Sequence, residues 1–488
     1  MKKARHPKTI PIQVVTTRSE PVFRVGAGQP IAQDAGKIYS RAVAGLFTRL
    51  RWVMVWVTQL VFYGVPWLQW NDRQAVLFDL AEGRFLVFAL VLHPQDLFYL
   101  AVLLVVAALT LFFFTAVAGR LWCGYACPQT VYTEIFLWIE RITEGDRLTR
   151  MRLDKGPWGL QKITRKGAKQ AMWIGLSLFT GFTFVGYFTP IQHLARELLG
   201  LSLSPWEWFW VLFYGFATYG NAGYLREQIC KQMCPYARIQ SALTDMDSMV
   251  IAYDAARGET RGSRARTADA RSMDLGDCID CTLCVQVCPT GIDIRNGLQN
   301  ECIACAACID VCDEVMQKMN YPKGLIRYSS GKGMTDQLTA TQMLHRVWRP
   351  RVWVYGLLLM LALSVFVGGL ATRKGFEVDV IKDRGTMARE TANGSIENVY
   401  RLQVMNTTEA PQTYRASVHG LTGLTLATPP ELTVASAGIG SMNVRLTLPA
   451  EVVQAYRGKT SQIRFRVEVQ GEGNVVSVEE KSTFVVPR

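Results

Sequence analysis

Cysteine stops at Cys312: all twelve cysteines of the 488-residue chain lie at or before it, and the remainder has none. A disulfide-stapled C-terminal module is therefore excluded. Histidine is scarce, at five residues, and none lies inside an apolar run, so facing histidine pairs for a membrane haem are missing. There is no P-loop, dinucleotide fingerprint or nucleophile elbow. Residues 1–50 hold no apolar core of a cleavable signal peptide. Charged residues make up only 19% of the chain, yet the net charge is +13. Low charge, 49% hydrophobic residues and a basic balance are ordinary for a membrane protein with basic cytoplasmic loops.

What is present is concentrated in cysteine. Cys278-Ile-Asp-Cys281-Thr-Leu-Cys284-Val-Gln-Val-Cys288-Pro289 and Cys302-Ile-Ala-Cys305-Ala-Ala-Cys308-Ile-Asp-Val-Cys312 both show the C-x2-C-x2-C-x3-C spacing of bacterial two-cluster ferredoxins. Three closely spaced thiolates cap three corners of an iron–sulfur cube, and the fourth ligand comes from the other run. That pattern assigns Cys278, Cys281, Cys284 and Cys312 to one 4Fe–4S cluster, and Cys302, Cys305, Cys308 and Cys288 to a second. Zinc sites use two CxxC pairs with a spacer, and disulfides suit secreted domains; neither matches. Asp313 follows Cys312 where proline follows Cys288, so the second half is expected to turn differently. Ile279, Ile303 and Ile309 are expected to be buried beside the cubes.

Five apolar stretches have about the 20 residues that a bilayer crossing requires: Val53–Leu68, Leu97–Ala118, Gln170–Thr189, Trp206–Gly223 and Val352–Leu370. Trp52, Trp56, Trp67, Trp70, Trp206, Trp208 and Trp210 fit aromatic belts at their ends. Lys and Arg number ten in residues 1–51, ten in 119–169 and sixteen in 226–351, against two in 69–96 and one in 190–205. By the positive-inside rule the rich segments face the cytoplasm and residues after 371 lie in the periplasm. The cysteine map agrees, because iron-ligating thiolates belong in the reducing compartment.

The exported tail reads as β. Tyr400, Leu402 and Val404 alternate with polar residues, as do Met442, Val444, Leu446 and Leu448, then Ile463, Phe465, Val467 and Val469. Turn signals at Asn406-Thr407-Thr408, Ala427-Thr428-Pro429-Pro430 and Gly471-Glu472-Gly473-Asn474 separate them. An immunoglobulin-like β-sandwich without the Cys–Trp–Cys core follows, with docking as its expected role.

The fold expected is thus a multi-domain membrane protein of five transmembrane α-helices with an inserted two-cluster ferredoxin domain and a C-terminal immunoglobulin-like β-sandwich. Its parts are a basic cytoplasmic N-terminus (1–51), a four-helix membrane region (52–250), a basic linker (251–275) and the dicluster domain (276–330). A connector (331–351), the fifth span (352–371) and the periplasmic sandwich (372–488) complete it. The run Arg257–Arg271 reads as a solvated, lipid-proximal loop and not as a nucleic-acid site.

The remaining thiols form Cys123-Gly-Tyr-Ala-Cys127-Pro128 and Cys230-Lys-Gln-Met-Cys234-Pro235, each just past the cytoplasmic end of a span. The four-residue separation predicts paired sulfurs on one helix face, one turn apart. Proline then ends that helix or opens the next, and residues 129–142 look like an amphipathic helix of that kind. A helix N-terminus is expected to lower the thiol pKa. A metal or further cluster site, a pair of redox dithiols, and inert packing all remain open for these four, the candidate catalytic residues. His93 and His193 are expected at the surface, near span ends; His6, His345 and His419 form no constellation.

The order of these features resembles the cytochrome c oxidase accessory protein family, the FixG/CcoG/RdxA group. The segment GDCIDCTLCVQVCPTGIDIRNGLQNECIACAACIDVC, the paired CxxxCP motifs, the fifth span and the β tail carry the likeness. It implies an inner-membrane polyferredoxin needed to assemble cbb-type cytochrome c oxidase, reducing Cu(II) to Cu(I) for delivery. Two 4Fe–4S clusters, a copper ion, copper-handling proteins, oxidase subunits, membrane lipid and a quinol or cytoplasmic donor are the implied cofactors and partners. The eight ferredoxin cysteines carry over as ligands; the ligand of the CxxxCP cysteines does not. Two other roles compete: a quinol-oxidising conduit to a periplasmic reductase, and an assembly scaffold.

Overall fold

A computed structural model of the protein describes residues 37–268, 273–382, 388–426, 431–470 and 476–487. His6, most of the basic N-terminus, the end of the 257–271 run and the turn signals at 427–430 and 471–474 lie outside the described residues. The chain forms two compact units. One comprises Met1–Val57, Leu109–Ile174 and Thr218–Leu357; the other comprises Thr58–Ala108, Gly175–Ala217 and Leu358–Arg488.

The five expected spans are all helical: Leu46–Gly64, Leu97–Ala118, Leu160–Val185, Pro205–Gly220 and Pro350–Ala371. Among the described residues two segments, Pro94–Ala118 and Pro350–Ala371, are long and apolar enough to cross a membrane by length and composition. The other three of the five expected spans fall short of that, for local reasons. Arg49 and Arg51 sit in the first helix, while Lys162, Arg165, Lys166 and Lys169 occupy the first half of the third. The fourth has 16 residues and then passes into the π-helical turn Asn221–Leu225.

In the first unit the ferredoxin segment is closed by an antiparallel pair, Val250–Tyr253 with Ile326–Ser329. Residues 251–253 therefore pair into the ferredoxin sheet although the sequence reading gives them to the linker. The basic run is tied down as well: Arg257 Nε donates to Asp277 at 2.5 Å, and the Arg264 guanidinium lies over the Tyr321 ring. Ile251, Ile294, Ile309, Leu325 and Ile326 make the core, each contributing roughly 1.5–3 kcal/mol by burial. Asp310 caps the first long helix, accepting from the Thr48 backbone N–H and hydroxyl, both at 2.8 Å.

In the second unit the C-terminal segment is a β-sandwich of two antiparallel sheets. One runs Thr425–Leu426, Ile439–Leu448, Ile396–Asn406, Phe376–Lys382; the other runs Glu431–Val434, Gln412–His419, Thr460–Val469, Ser477–Val485. The predicted alternation is realised: Tyr400, Leu402, Val404, Leu446, Phe465 and Val467 are all fully buried. Residues 69–96, read only as a connecting loop, hold a three-stranded meander, Val76–Asp79, Arg84–Val87 and Leu90–Leu92. The Glu409 carboxylate accepts from Trp70 Nε1 at 2.6 Å and Asn71 Nδ2 at 2.5 Å.

His93 corrects a second expectation. It is 1% exposed, with neither ring nitrogen hydrogen-bonded, and burial followed by the Arg373 charge pushes its pKa down to about 4. Asp96 and Arg373 fold over it from the loop and from beyond the last helix, which the sequence alone does not reveal. His193 is exposed, as expected, 3.4 Å from Glu197.

Candidate iron–sulfur and thiol sites

Each ferredoxin run opens with the same backbone device. Asp280 and Thr282 flank Cys281 with φ of 54° and 57°, and Ala304 and Ala306 flank Cys305 with φ of 55° and 59°. Left-handed residues beside right-handed ones turn successive N–H groups toward one concavity, the arrangement that receives anions and iron–sulfur clusters. Each such non-glycine residue costs roughly 1–2 kcal/mol.

Proline then differentiates the halves. Cys288 precedes Pro289 and is extended (ψ 120°), which stops the helix Leu283–Val287 after five residues. With Asp313 in that place, the helix Ala307–Lys318 runs through Cys312 for twelve residues. The expected difference is there, and it changes where the last cysteine points.

Two cavities result. One is lined by Cys278, Cys281, Cys284 and Cys312, together with Ile279. The other is lined by Cys288, Cys302, Cys305 and Cys308, with Ile303, and Cys284 reaches it too. We call these site one and site two. Among the described residues, no three His, Cys, Asp or Glu side chains gather as they would around a single ion. A cubane binds each cysteine through a different iron, so its four thiols stand apart around a hollow, and these two thiol-lined hollows fit that donor set. Burial pushes the Cys284 thiol up to about 11 and those of Cys302 and Cys312 up to about 12, so loading these sites releases protons.

The CxxxCP motifs differ from the predicted single helix face. Cys123 lies in the short helix Leu121–Tyr125 and Cys230 in the π-helical turn Ile229–Met233. Cys127 and Cys234 are extended, with ψ of 128° and 111°, and cap the helices Pro128–Glu144 and Pro235–Leu243. A residue before proline is excluded from the helical region, so each pair straddles a break. The two motifs nevertheless share one arrangement: both second cysteines are N-caps with proline at the first helical position.

The lowered thiol pKa is corrected as well. Burial outweighs the helix terminus and pushes Cys123 up to about 12 and Cys230 up to about 11, with Cys127 also raised. The charges of Cys127, Cys230 and Cys234 each add to the rise at Cys123. Cys123 Sγ lies 3.5 Å from Oε1 of Gln240, which is fully buried and donates through Nε2 to the Gly119 carbonyl at 3.0 Å.

These thiols adjoin site two. Cys123 and Cys230 pack against the buried cluster that contains Ile303 and Cys305 of site two. A Cβ at Gly124 would stand 2.7 Å from the Ala304 carbonyl oxygen and 2.8 Å from that of Ile303. Sequence reading missed Gly124, Gln240, Arg120 and Tyr328, whose hydroxyl donates to Ala304 O at 2.8 Å, because nothing in their spacing marks them.

Three family models match. A 4Fe-4S dicluster domain covers residues 225–331, a 4Fe-4S binding domain covers 100–144, and an Ig-like fold at the C-terminus of FixG covers 366–487. All twelve cysteines fall within the two 4Fe–4S matches. The chain is 38% identical over 429 residues to "Nitrogen fixation protein FixG" of Rhizobium meliloti (strain 1021), covering 81% of this chain and 82% of that one. It is 36% identical over 466 residues to "Protein RdxA" of Cereibacter sphaeroides, covering 92% and 97%. "Protein RdxB" of the same organism is 38% identical over 401 residues, covering 80% and 83%.

Proposed function

The chain belongs to the family of FixG, RdxA and RdxB, and from that premise we propose that it reduces Cu(II) to Cu(I) at its CxxxCP thiols during assembly of cbb-type cytochrome c oxidase. The contact of Gly124 with Ile303 and Ala304 carries this reading, since it sets the soft-sulfur site against the loop of site two. Cys278, Cys281, Cys284 and Cys312 hold one 4Fe–4S cluster, and Cys288, Cys302, Cys305 and Cys308 the other. The two clusters, when bound, supply one-electron reducing equivalents that originate in a cytoplasmic or quinol donor.

Cys123, Cys127, Cys230 and Cys234 supply the thiols that receive copper as substrate, and since no three of them gather around one point, a pair of thiols takes each ion. Each Cu(II) gains one electron and leaves as Cu(I), while the thiols that bind it give up their protons. Sulfur ligands favour Cu(I) over Cu(II), so binding pulls the couple toward reduction. The four thiols are half-buried, and Gln240 accepts from the Cys123 thiol and so holds that sulfur in place before copper binds.

In this reading all five long helices cross the inner membrane. Val53, Trp56, Leu60, Phe179, Phe213 and Phe216 are exposed apolar side chains on the three helices that fail the strict length and apolarity test. So much exposed apolar surface needs lipid. The cation count supports a cytoplasmic side for the cysteines and a periplasmic side for the sandwich, whose role in this reading is to dock copper-handling proteins or oxidase subunits.

The test is anaerobic mixing of reduced full-length protein with Cu(II). Stoichiometric Cu(I), lost in the Cys123→Ser/Cys127→Ser double variant, supports the reductase; an unchanged yield in that variant removes the thiols from the mechanism.

A further inference from the structure

One guanidinium joins the segments that carry both kinds of cysteine. Arg120 is the N-cap of the short helix bearing Cys123. Its Nη1 donates to the Asn300 carbonyl and, at 3.2 Å, to the Cys302 carbonyl. Its Nη2 donates at 3.1 Å to the carbonyl of Ala237, three residues beyond Cys234. It thereby straps the first CxxxCP motif, the helix after the second, and the loop that presents Cys302 to site two.

The partners matter as much as the position. All three are neutral carbonyls, and among the described residues no carboxylate pairs with Arg120, not even that of Glu301, which stands between Asn300 and Cys302 in the sequence. Two arginines that lie closer to the thiol hollows are neutralised. Arg295, which lines site one, is bound by Asp293 at 2.7 Å and Asp280 at 2.5 Å. Arg51, on the Cys305 side of site two, faces Glu134 at 3.4 Å. At the edge of site two Arg120 therefore carries its charge with no carboxylate partner, whereas the arginine that lines site one is held by two carboxylates.

A 4Fe–4S cluster with four thiolates is an anion that gains further negative charge on reduction, and its potential follows the local net charge. A nearby uncompensated cation stabilises the reduced form; an arginine held by two carboxylates does not.

We propose that Arg120 is a positioning residue that makes site two the more easily reduced of the two sites and holds it in register with the CxxxCP thiols. Electrons that enter at site one thus collect at site two, on the side where the thiols lie. This inference rests on the 4Fe–4S assignment under the proposed function and is independent of copper.

The experiment is an anaerobic redox titration of full-length protein, followed by electron paramagnetic resonance without copper present, with iron and sulfide measured on each sample. Site two's signal is identified as the one altered by Cys305→Ser. The wild type is expected to show site two reduced at the higher potential. Arg120→Met is expected to move that wave negative by on the order of a tenfold change in its equilibrium, about 59 mV for one electron, and to leave site one in place. Arg120→Lys, which keeps the charge and loses the fork, is expected to recover most of the shift. Because Arg120→Met also removes a strap, Asn300→Asp serves as the second variant: Asn300 is exposed, and a carboxylate there offsets the guanidinium without deleting it. Its site-two wave is expected to move in the same direction.

Fully loaded Arg120→Met with both waves unmoved, or moved equally, overturns the proposal. So does an unmoved site-two wave in Asn300→Asp when Arg120→Met loads incompletely. Absence of two 4Fe–4S signals in the wild type would instead overturn the cluster assignment. Failure to form Cu(I) with the waves behaving as described would overturn the copper reading alone.

Discussion

Gly124 meets Ala304 backbone to backbone, with a would-be Cβ 2.7 Å from the Ala304 carbonyl oxygen, and Tyr328 holds that same carbonyl from its other side at 2.8 Å. Neither oxygen nor helix can yield cheaply. Gly124→Val is expected to cost about 1–3 kcal/mol and to push the Cys123 segment off the site-two loop. Electron transfer falls steeply with separation, so the rate of Cu(I) formation should drop while iron content stays at the wild-type value. Stopped-flow detection of Cu(I) on iron-matched samples measures it. An undiminished rate would show that the contact is not used.

Glu140 is the anchor between the two motifs. It is fully buried on the helix that follows Cys127-Pro128, and it takes Arg150 and Arg226 at 2.7 Å each; Arg226 lies four residues before Cys230. Burial alone would raise its pKa, but Arg226 and Arg150 more than reverse this and hold the carboxyl below the usual range. Glu140→Ala leaves two buried guanidinium groups uncompensated and is expected to destabilise the first unit by about 3–5 kcal/mol. Thermal unfolding of the solubilised protein should show the loss, with Glu140→Asp intermediate. A melting temperature like that of the wild type would mean that water already compensates these charges.

The cysteine chemistry was legible because spacing encodes it. Eight thiols at ferredoxin intervals fold into two four-thiol hollows, and the proline after Cys288 states in advance which helix stops short. The β tail was legible for the same reason, since a period of two on Tyr400, Leu402 and Val404 has one buried outcome. What escaped depends on tertiary neighbours. The helical face expected of Cys123 and Cys127 failed because the conformational limit on a residue before proline outweighs the helical period. The lowered thiol pKa failed because burial exceeds the helix terminus. His93 reads as a loop histidine until Asp96 and Arg373 close over it. Arg120 is one basic residue among ten in its segment, and only its three carbonyl partners single it out.

His93 gives the second unit an acid limit. Its folded pKa of about 4 lies below the ordinary value of 6.5, so below that value the unfolded chain binds the proton more readily than the folded one. Stability is then fully present above pH 6.5 and falls as pH drops from about 6.5 toward 4, by about 3 kcal/mol at most. His93→Leu removes the titrating group. Thermal melts of wild type between pH 7.5 and 4.5 should fall more steeply than those of the variant. Parallel slopes would remove His93 as the cause.

The four left-handed residues around Cys281 and Cys305 imply that the loaded sites support a backbone that the free loops would not choose. Asp280, Thr282, Ala304 and Ala306 each cost roughly 1–2 kcal/mol in that conformation, and the N–H groups they converge have no anion to face once iron is removed. The sandwich has its own core and no cysteine, so it is independent of that loss. Chelation under oxidising conditions should therefore expose residues 278–312 to limited proteolysis while the C-terminal domain stays resistant. Ala306→Gly relieves one strained position, and glycine reaches φ near 59° without penalty. That variant is expected to slow cleavage of the iron-free loops about two- to fivefold, since roughly 0.4–1 kcal/mol is at stake at such a position. It should also leave the spectrum of the loaded protein unchanged. Equal cleavage of loaded and iron-free protein would show that the loops hold their shape without metal, and the strain would then be carried by the packing of Ile303 and Ile309 instead.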